Sequence, residues 1–292
     1  MKFFLFLCVD RFSYHLSIER QLSPNTVASY SAEVASFLSF YKGDPAACTP
    51  DDVEAYLSSR SSEIGKRSQA HALSALRCWF DYLILEGERK DNPCDKVDAP
   101  KLGRYLPEVL SVDEVMAILD SVPLDSLTGI RDRAILEVLY GCGLRVSEVC
   151  GLLLSAIDSD RGFVRIVGKG DKERLVPIGQ PALDALSEYL DSRPEPAPGY
   201  EDYAFLNRFG KALSRVSVFN MVKQRALEAG VRKSISPHTF RHTFATHLVE
   251  NGADLRIVQE MLGHESVLTT EIYTHIDSST WQEEIIKHHP RQ

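Results

Sequence analysis

His238 and His242, in the segment SPHTFRHTFATHL (236–248), stand four residues apart, the spacing at which a helix offers two imidazoles to a zinc ion. In that chemistry a glutamate directly after the first histidine activates the metal-bound water. Here Thr239 holds the place, and Arg241 would set a fixed positive charge beside the cation. A phosphate suits the pair His238 and Arg241 better. Three residues apart, they share a helix face, and a guanidinium fork matches two phosphate oxygens. The plain alternative is a surface arginine beside a satisfied histidine.

Other residues bear on that choice. In YGCGLRVSEVCGL, Arg145 follows a Gly-x-Gly turn and opens a helix, with Glu148 three residues on, either orienting the site or only pairing with Arg145. Two arginines could offset the charge on both non-bridging oxygens of a phosphodiester. His264 follows Gly263, a helix stop signal, and Tyr273 comes later among Leu268, Ile272 and Ile276, where a tyrosine is otherwise a core residue. Lys169 lies in Gly168-Lys169-Gly170-Asp171, a turn between two runs of alternating β-branched residues, which predicts a hairpin with a lysine at its tip. Taken alone, such a lysine is a solvated one.

The elements that must carry these groups are mainly helical. In SPNTVASYSAEVASFLSFY, Ser23 caps and Pro24 suits the first helical position, while Val27, Tyr30, Val34, Phe37, Leu38 and Tyr41 recur at helical spacing. TPDDVEAYL repeats the pattern behind Thr49. Leu73, Leu76, Phe80 and Leu83 stripe a further helix that Gly87 stops. The expectation is a four-helix domain over residues 1–100 and a linker over 101–110, in a stretch where Pro93, Pro100 and Pro107 deny a continuous helix. A second domain follows over 111–292, helical apart from the hairpin, with Trp281, Ile285 and Ile286 on an apolar face of the last helix.

Bulk properties narrow the class. The chain has 292 residues, 44% of them hydrophobic, enough for two globular cores. Its formal charge of −8 argues against a broadly basic nucleic-acid binder, so a DNA surface must be a local cluster. Candidates are Lys66 and Arg67, Lys172 and Arg174 on the hairpin, and Arg215, Lys223 and Arg225 on a later helix. Six cysteines without a CxxC pair suit reduced thiols in the cytoplasm. MKFFLFLCV ends at Asp10-Arg11 without a small-residue cleavage site and is read as the buried start of a helix, not as a targeting signal.

GLRVSE, GKGDKERLVP, SPHTFRHTFATHL, LGH and IYTH, in this order, resemble the tyrosine recombinase (phage integrase) superfamily, nearest its bacterial Xer branch. The resemblance implies a mainly α fold, with an amino-terminal four-helix core-binding domain and a mostly helical catalytic domain carrying a small β-hairpin or sheet. It implies Tyr273 as nucleophile on a DNA phosphodiester, forming a 3′-phosphotyrosyl bond without metal or ATP. Arg145 and Arg241 would hold the phosphate, His264 would donate to a non-bridging oxygen, Lys169 would protonate the leaving 5′-oxygen and His238 would assist proton transfer. Implied partners are duplex DNA with paired half-sites, a second Xer recombinase (XerC-like) in a heterotetramer and a septal DNA translocase (FtsK-like). The implied role is resolution of chromosome or plasmid dimers at cell division, with the last helix exchanged between protomers. Alternatives are a mobile-element integrase of the same chemistry and a DNA-binding protein that does not cleave.

Overall fold

A computed structural model describes residues 2–101, 108–168, 173–263 and 285–291, with side chains described from Cys8 onward. The chain divides into two compact units, Met1–Tyr105 and Leu106–Gln292.

The first unit holds four α-helices among its described residues: α1 (Lys2–Tyr14), α2 (Pro24–Tyr41), α3 (Pro50–Ser59) and α4 (Lys66–Leu85). The anticipated caps form. Ser23 Oγ accepts from the Thr26 N–H at 3.2 Å, and Thr49 and Asp52 cap each other reciprocally at the start of α3. Of the α2 stripe, Val34, Phe37 and Leu38 are buried and Val27, Tyr30 and Tyr41 pack partly against the same core; the α4 stripe is buried throughout. Leu73, Leu76, Trp79 and Phe80 meet Phe12 of α1 and Tyr56 of α3 there. α4 ends at Leu85, and Gly87 at φ +73° turns the chain away, its N–H donating to Ile84. Whether the first residues are buried, as the sequence suggests, lies outside the described side chains. A five-residue π-helical turn, His15–Glu19, continues α1 and was not anticipated.

The second unit runs α5 (Val112–Asp120), α6 (Leu127–Gly141), α7 (Val146–Cys150), β1 (Ile157–Asp158), β2 (Phe163–Val167), β3 (Glu173–Pro177), α8 (Gln180–Ser192), α9 (Arg215–Glu228), α10 (Pro237–Glu250) and α11 (Leu255–Leu262). The strands form an antiparallel sheet in the order β1-β2-β3, with Val164 opposite Val176 and Ile166 opposite Arg174. The hairpin matches the sequence reading, and its turn residues 169–172 lie outside the described set. β1 escaped notice because two residues carry no periodicity. Buried α6 residues such as Leu136 and Leu139 share a core with Phe240 and Phe244 of α10, Val164 and Val176 of the sheet, and Ile285 near the carboxyl end. Ile286, expected on the same apolar face, is 59% exposed, because successive residues on a helix point in different directions. The third residue of that face, Trp281, is outside the described set.

All six cysteines are unpaired, and burial pushes the Cys48, Cys94 and Cys142 thiols up to about 12. Among the described residues no helix is long and apolar enough to cross a membrane.

Candidate active site

Arg241 is placed by its helix start. Ser236 Oγ accepts from the Thr239 N–H at 3.3 Å, and Thr239 Oγ1 accepts from the Ser236 N–H at 3.1 Å, with Pro237 in the first turn. Thr239, where a zinc protease would have glutamate, thus serves the helix cap. Phe240 and Phe244 pull α10 into the core and carry Arg241 inward with them, to 8% exposure. His238 stays exposed on the first turn, and so does His242. His247, one turn beyond Phe244, is a core histidine, holding Tyr140 Oη at 2.8 Å and the Leu110 carbonyl at 2.9 Å.

Arg241 Nη1 donates to the Gly143 carbonyl at 2.7 Å, and Nη2 donates to the Leu262 carbonyl. Gly143 has no alternative at its position. Its φ is +58°, and a Cβ there would sit 2.4 Å from the Phe244 ring. The turn YGCGLR therefore brings its backbone against α10, and Arg145 two residues later starts α7.

Glu148 holds Arg145 from two sides: its carboxylate accepts from the Arg145 backbone N–H at 2.7 Å and from Nη1 at 2.9 Å. Arg145 Nη2 reaches the Gly263 carbonyl at 3.1 Å. The Arg145 side chain remains 37% exposed while that of Glu148 is 7% exposed, so one edge of the guanidinium is fixed and the rest faces solvent. Glu148 therefore pairs with Arg145 and, through the same contacts, restricts where its guanidinium stands.

Arg174 completes the set, although its place on the hairpin suggests a DNA-contacting surface. It is 8% exposed. Its Nη1 and Nη2 close on the two Glu148 oxygens at 2.9 and 2.8 Å, and its Nε donates to the Met261 carbonyl at 2.9 Å. A signal was available. Arg174 and Val176 stand two apart on a strand and so share a face, and a charged residue on the face of Val176 requires a buried partner.

Two guanidiniums thus close on one carboxylate, and the third, that of Arg241, is near enough to feel its charge. Burial favours the neutral form of Glu148, but Arg174 and Arg145 outweigh it and hold its carboxyl below the usual range. Arg241 is pushed down to about 10 by burial first and then by the charges of Arg145 and Arg174, with Glu148 working the other way. It stays protonated at neutral pH. Among the described residues, these three positive charges against the one negative leave an excess suited to a bound anion.

Lys169, Lys172, His264 and Tyr273 lie outside the described residues. Of the other DNA-contact candidates, Lys66, Arg67, Arg215 and Lys223 are exposed. Arg225 is occupied internally, with Nη2 at 2.7 Å from an Asp132 oxygen and Nη1 at 2.8 Å from Glu228.

Residues 108–280 match the phage integrase family, and residues 9–87 match the phage integrase N-terminal SAM-like domain. The chain is similar to tyrosine recombinase XerD of Chlorobaculum tepidum, at 44% identity over 97% of this chain and 96% of that protein. Tyrosine recombinase XerC of Pelobacter propionicus is 42% identical over 97% of this chain and 95% of its own length. In fold it resembles the XerH site-specific recombinase bound to palindromic difH substrate in a post-cleavage complex, with a TM-score of 0.71, 24% identity, and coverage of 90% of this chain and 80% of that one. The chain belongs to the phage integrase family, among the Xer tyrosine recombinases, enzymes that cleave and rejoin DNA.

Proposed function

We propose that this recombinase exchanges strands at a specific DNA site through a 3′-phosphotyrosyl intermediate, with Tyr273 as nucleophile. The Tyr273 oxygen attacks the scissile phosphorus, the bond to the 5′-oxygen breaks, and that oxygen takes a proton from Lys169. Rejoining is the reverse with a different 5′-hydroxyl. The bond energy stays in the phosphotyrosyl link, so neither metal nor ATP is needed. Arg145 and Arg241 offset the charge that grows on the non-bridging oxygens, His264 donates to one of them, and His238, on the exposed first turn of α10, assists proton transfer near the tyrosine.

The observation that carries this reading is the tie of Arg241 and Arg145 to neighbouring carbonyls, Leu262 and Gly263, directly before His264 in the chain. Two proposed phosphate ligands thus meet one helix end, and the third, His264, follows that end directly in the chain.

The cellular role proposed is resolution of chromosome or plasmid dimers in the cytoplasm at cell division. The domain over residues 1–100 would bind core DNA, and the linker over 101–110 would join it to the catalytic domain over 111–292. The partner would be an XerC-like recombinase in a heterotetramer, with an FtsK-like translocase as activator; similarity to relatives named XerD supports the complementary half of that pair.

The test is a covalent-adduct assay. Wild type and Tyr273→Phe are mixed, in EDTA, with nicked duplexes from the host's replication-terminus region and run on a denaturing gel. A chelator-resistant adduct on the 3′-phosphate side, absent in the variant, is expected. Specific binding without an adduct, even after a second Xer recombinase is added, would indicate a non-cleaving DNA-binding protein.

A further inference from the structure

The last residue of α11, the residue before it and the Gly263 cap each accept from a different arginine. Met261 O takes Arg174 Nε, Leu262 O takes Arg241 Nη2, and Gly263 O takes Arg145 Nη2. These are carbonyls at a helix end, where the last turn lacks internal donors and carries partial negative charge. Two of the three arginines are the proposed phosphate ligands; the third is not among them. Arg174, 8% exposed, turns all three of its nitrogens toward Glu148 and Met261.

We infer that Arg174 is a positioning residue for strand cleavage: by gripping Glu148 and the Met261 carbonyl together, it sets where Arg145 stands relative to the end of α11. The chain of contacts is short. Glu148 accepts from Arg174 through both oxygens and from Arg145 through its Nη1 and backbone N–H, so the carboxylate cannot turn toward one partner without leaving the other. The same two groups are tied a second time through α11, Arg174 to Met261 and Arg145 to Gly263. A closed loop of contacts restricts both guanidiniums more than either link would, and little reorganisation is then left for the reaction itself.

The backbone is shaped to allow the grip. A Cβ on Gly263 would approach Arg174 Cδ to 3.3 Å, and the residue sits at φ +66°, so glycine gives both the left-handed turn and the room for the arginine stem. Arg174 also lies five residues beyond Lys169 in sequence. β3, which follows the proposed proton donor in sequence, is thereby anchored near its start to the carboxylate that positions the proposed phosphate ligand.

This inference rests on Arg145 meeting the scissile phosphate, and the test separates the two. Single-turnover cleavage by the full-length chain is measured on a nicked duplex that wild type cleaves, and on the same duplex with a methylphosphonate at the scissile position. There a methyl group replaces one non-bridging oxygen and the negative charge is lost. Arg174→Met, Arg174→Lys and Arg145→Ala are compared, with DNA affinity and melting temperature measured alongside. Arg174→Met is expected to slow cleavage of the phosphate substrate by about 10- to 100-fold, less than a direct donor's loss, while affinity changes by less than about threefold. Arg174→Lys should recover part of the rate, since an ammonium restores charge but not the fork.

On the methylphosphonate both Arg174→Met and Arg145→Ala should fall close to wild type, because little charge is left for Arg145 to offset. Equal losses on the two substrates would mean that Arg174 is only structural and would overturn the inference, as would an unaltered rate on the phosphate. Should Arg174→Met fail to fold, Glu148→Gln, which keeps the shape and weakens the same link, is read by the same criteria. Failure of wild type to form the Tyr273 adduct would instead overturn the functional reading beneath it.

Discussion

Arg291 closes both ends of its guanidinium on the carboxylate of Glu137, Nε at 2.9 Å and Nη2 at 2.7 Å, and so fastens the carboxyl end of the chain to the middle of α6. Glu137 is 2% exposed and also accepts from Arg133 at 3.0 Å. Around this pair Ile285 enters the core, His289 lies between Tyr140 and Phe244, and Asn251 and His288 exchange hydrogen bonds at 2.7 Å. Residues 285–291 are therefore seated on their own catalytic unit, and any docking of this segment into a neighbouring protomer begins with its release.

Arg291→Ala is expected to destabilise the chain by about 1–3 kcal/mol, less than a fully orphaned buried carboxylate costs because Arg133 remains. Urea denaturation measures it. Deletion of residues 279–292 should in addition abolish cooperative binding to paired half-sites in a gel-shift titration, and cooperative binding at wild-type strength would rule out a role for the segment between protomers.

Burial pushes His289 down to about 4 from the ordinary 6.5, so the folded chain keeps it neutral. Below pH 6.5 the unfolded chain takes up a proton that the folded chain refuses, and stability falls as pH falls through the window from about 6.5 to about 4. Above that window His289 imposes no penalty. By pH 4 the cost reaches about 3 kcal/mol. His247, lowered by burial as well, adds to the same trend. His289→Phe should flatten the pH dependence of the urea midpoint between pH 7.5 and 5; an unchanged slope would assign the acid sensitivity elsewhere.

Gly143→Ala combines a strained φ with a collision against Phe244, and the carbonyl it displaces is the one holding Arg241. A loss of about 2–4 kcal/mol in stability is expected, and single-turnover cleavage should slow by more than tenfold even at temperatures where the variant is folded.

The basic residues divide by environment into two outcomes. Lys223→Ala and Arg215→Ala remove exposed charges from α9, and each should reduce the slope of log affinity against log salt by about one without altering the urea midpoint. Arg225→Ala should do the opposite, leaving the slope nearly unchanged and costing about 2–4 kcal/mol, because Asp132 at 3% exposure loses its strongest partner.

Local pattern carried most of the fold and pointed to the proposed site residues. Caps such as Ser23, Thr49, Ser111 and Ser236 mark helix starts in residue type alone, since they satisfy backbone donors within a few positions of themselves. The α4 stripe and the β2–β3 alternation are legible because 3.6 and 2 are the only periods that present one face to a core. Motif order then named Arg145, Glu148, Arg241 and their companions.

Partnership was not legible, and for Arg174 the reading by composition pointed the wrong way. Its contacts are 26 residues off at Glu148 and 87 off at Met261, and Arg145 reaches 118 residues to Gly263. Nothing in local spacing encodes such separations. An arginine in sequence is a charge of unknown address; only when β3 packs its inward face over α7 and the end of α11 does desolvation force that charge onto Glu148 and the Met261 carbonyl, and the tertiary structure alone determines which guanidinium keeps an edge open to solvent.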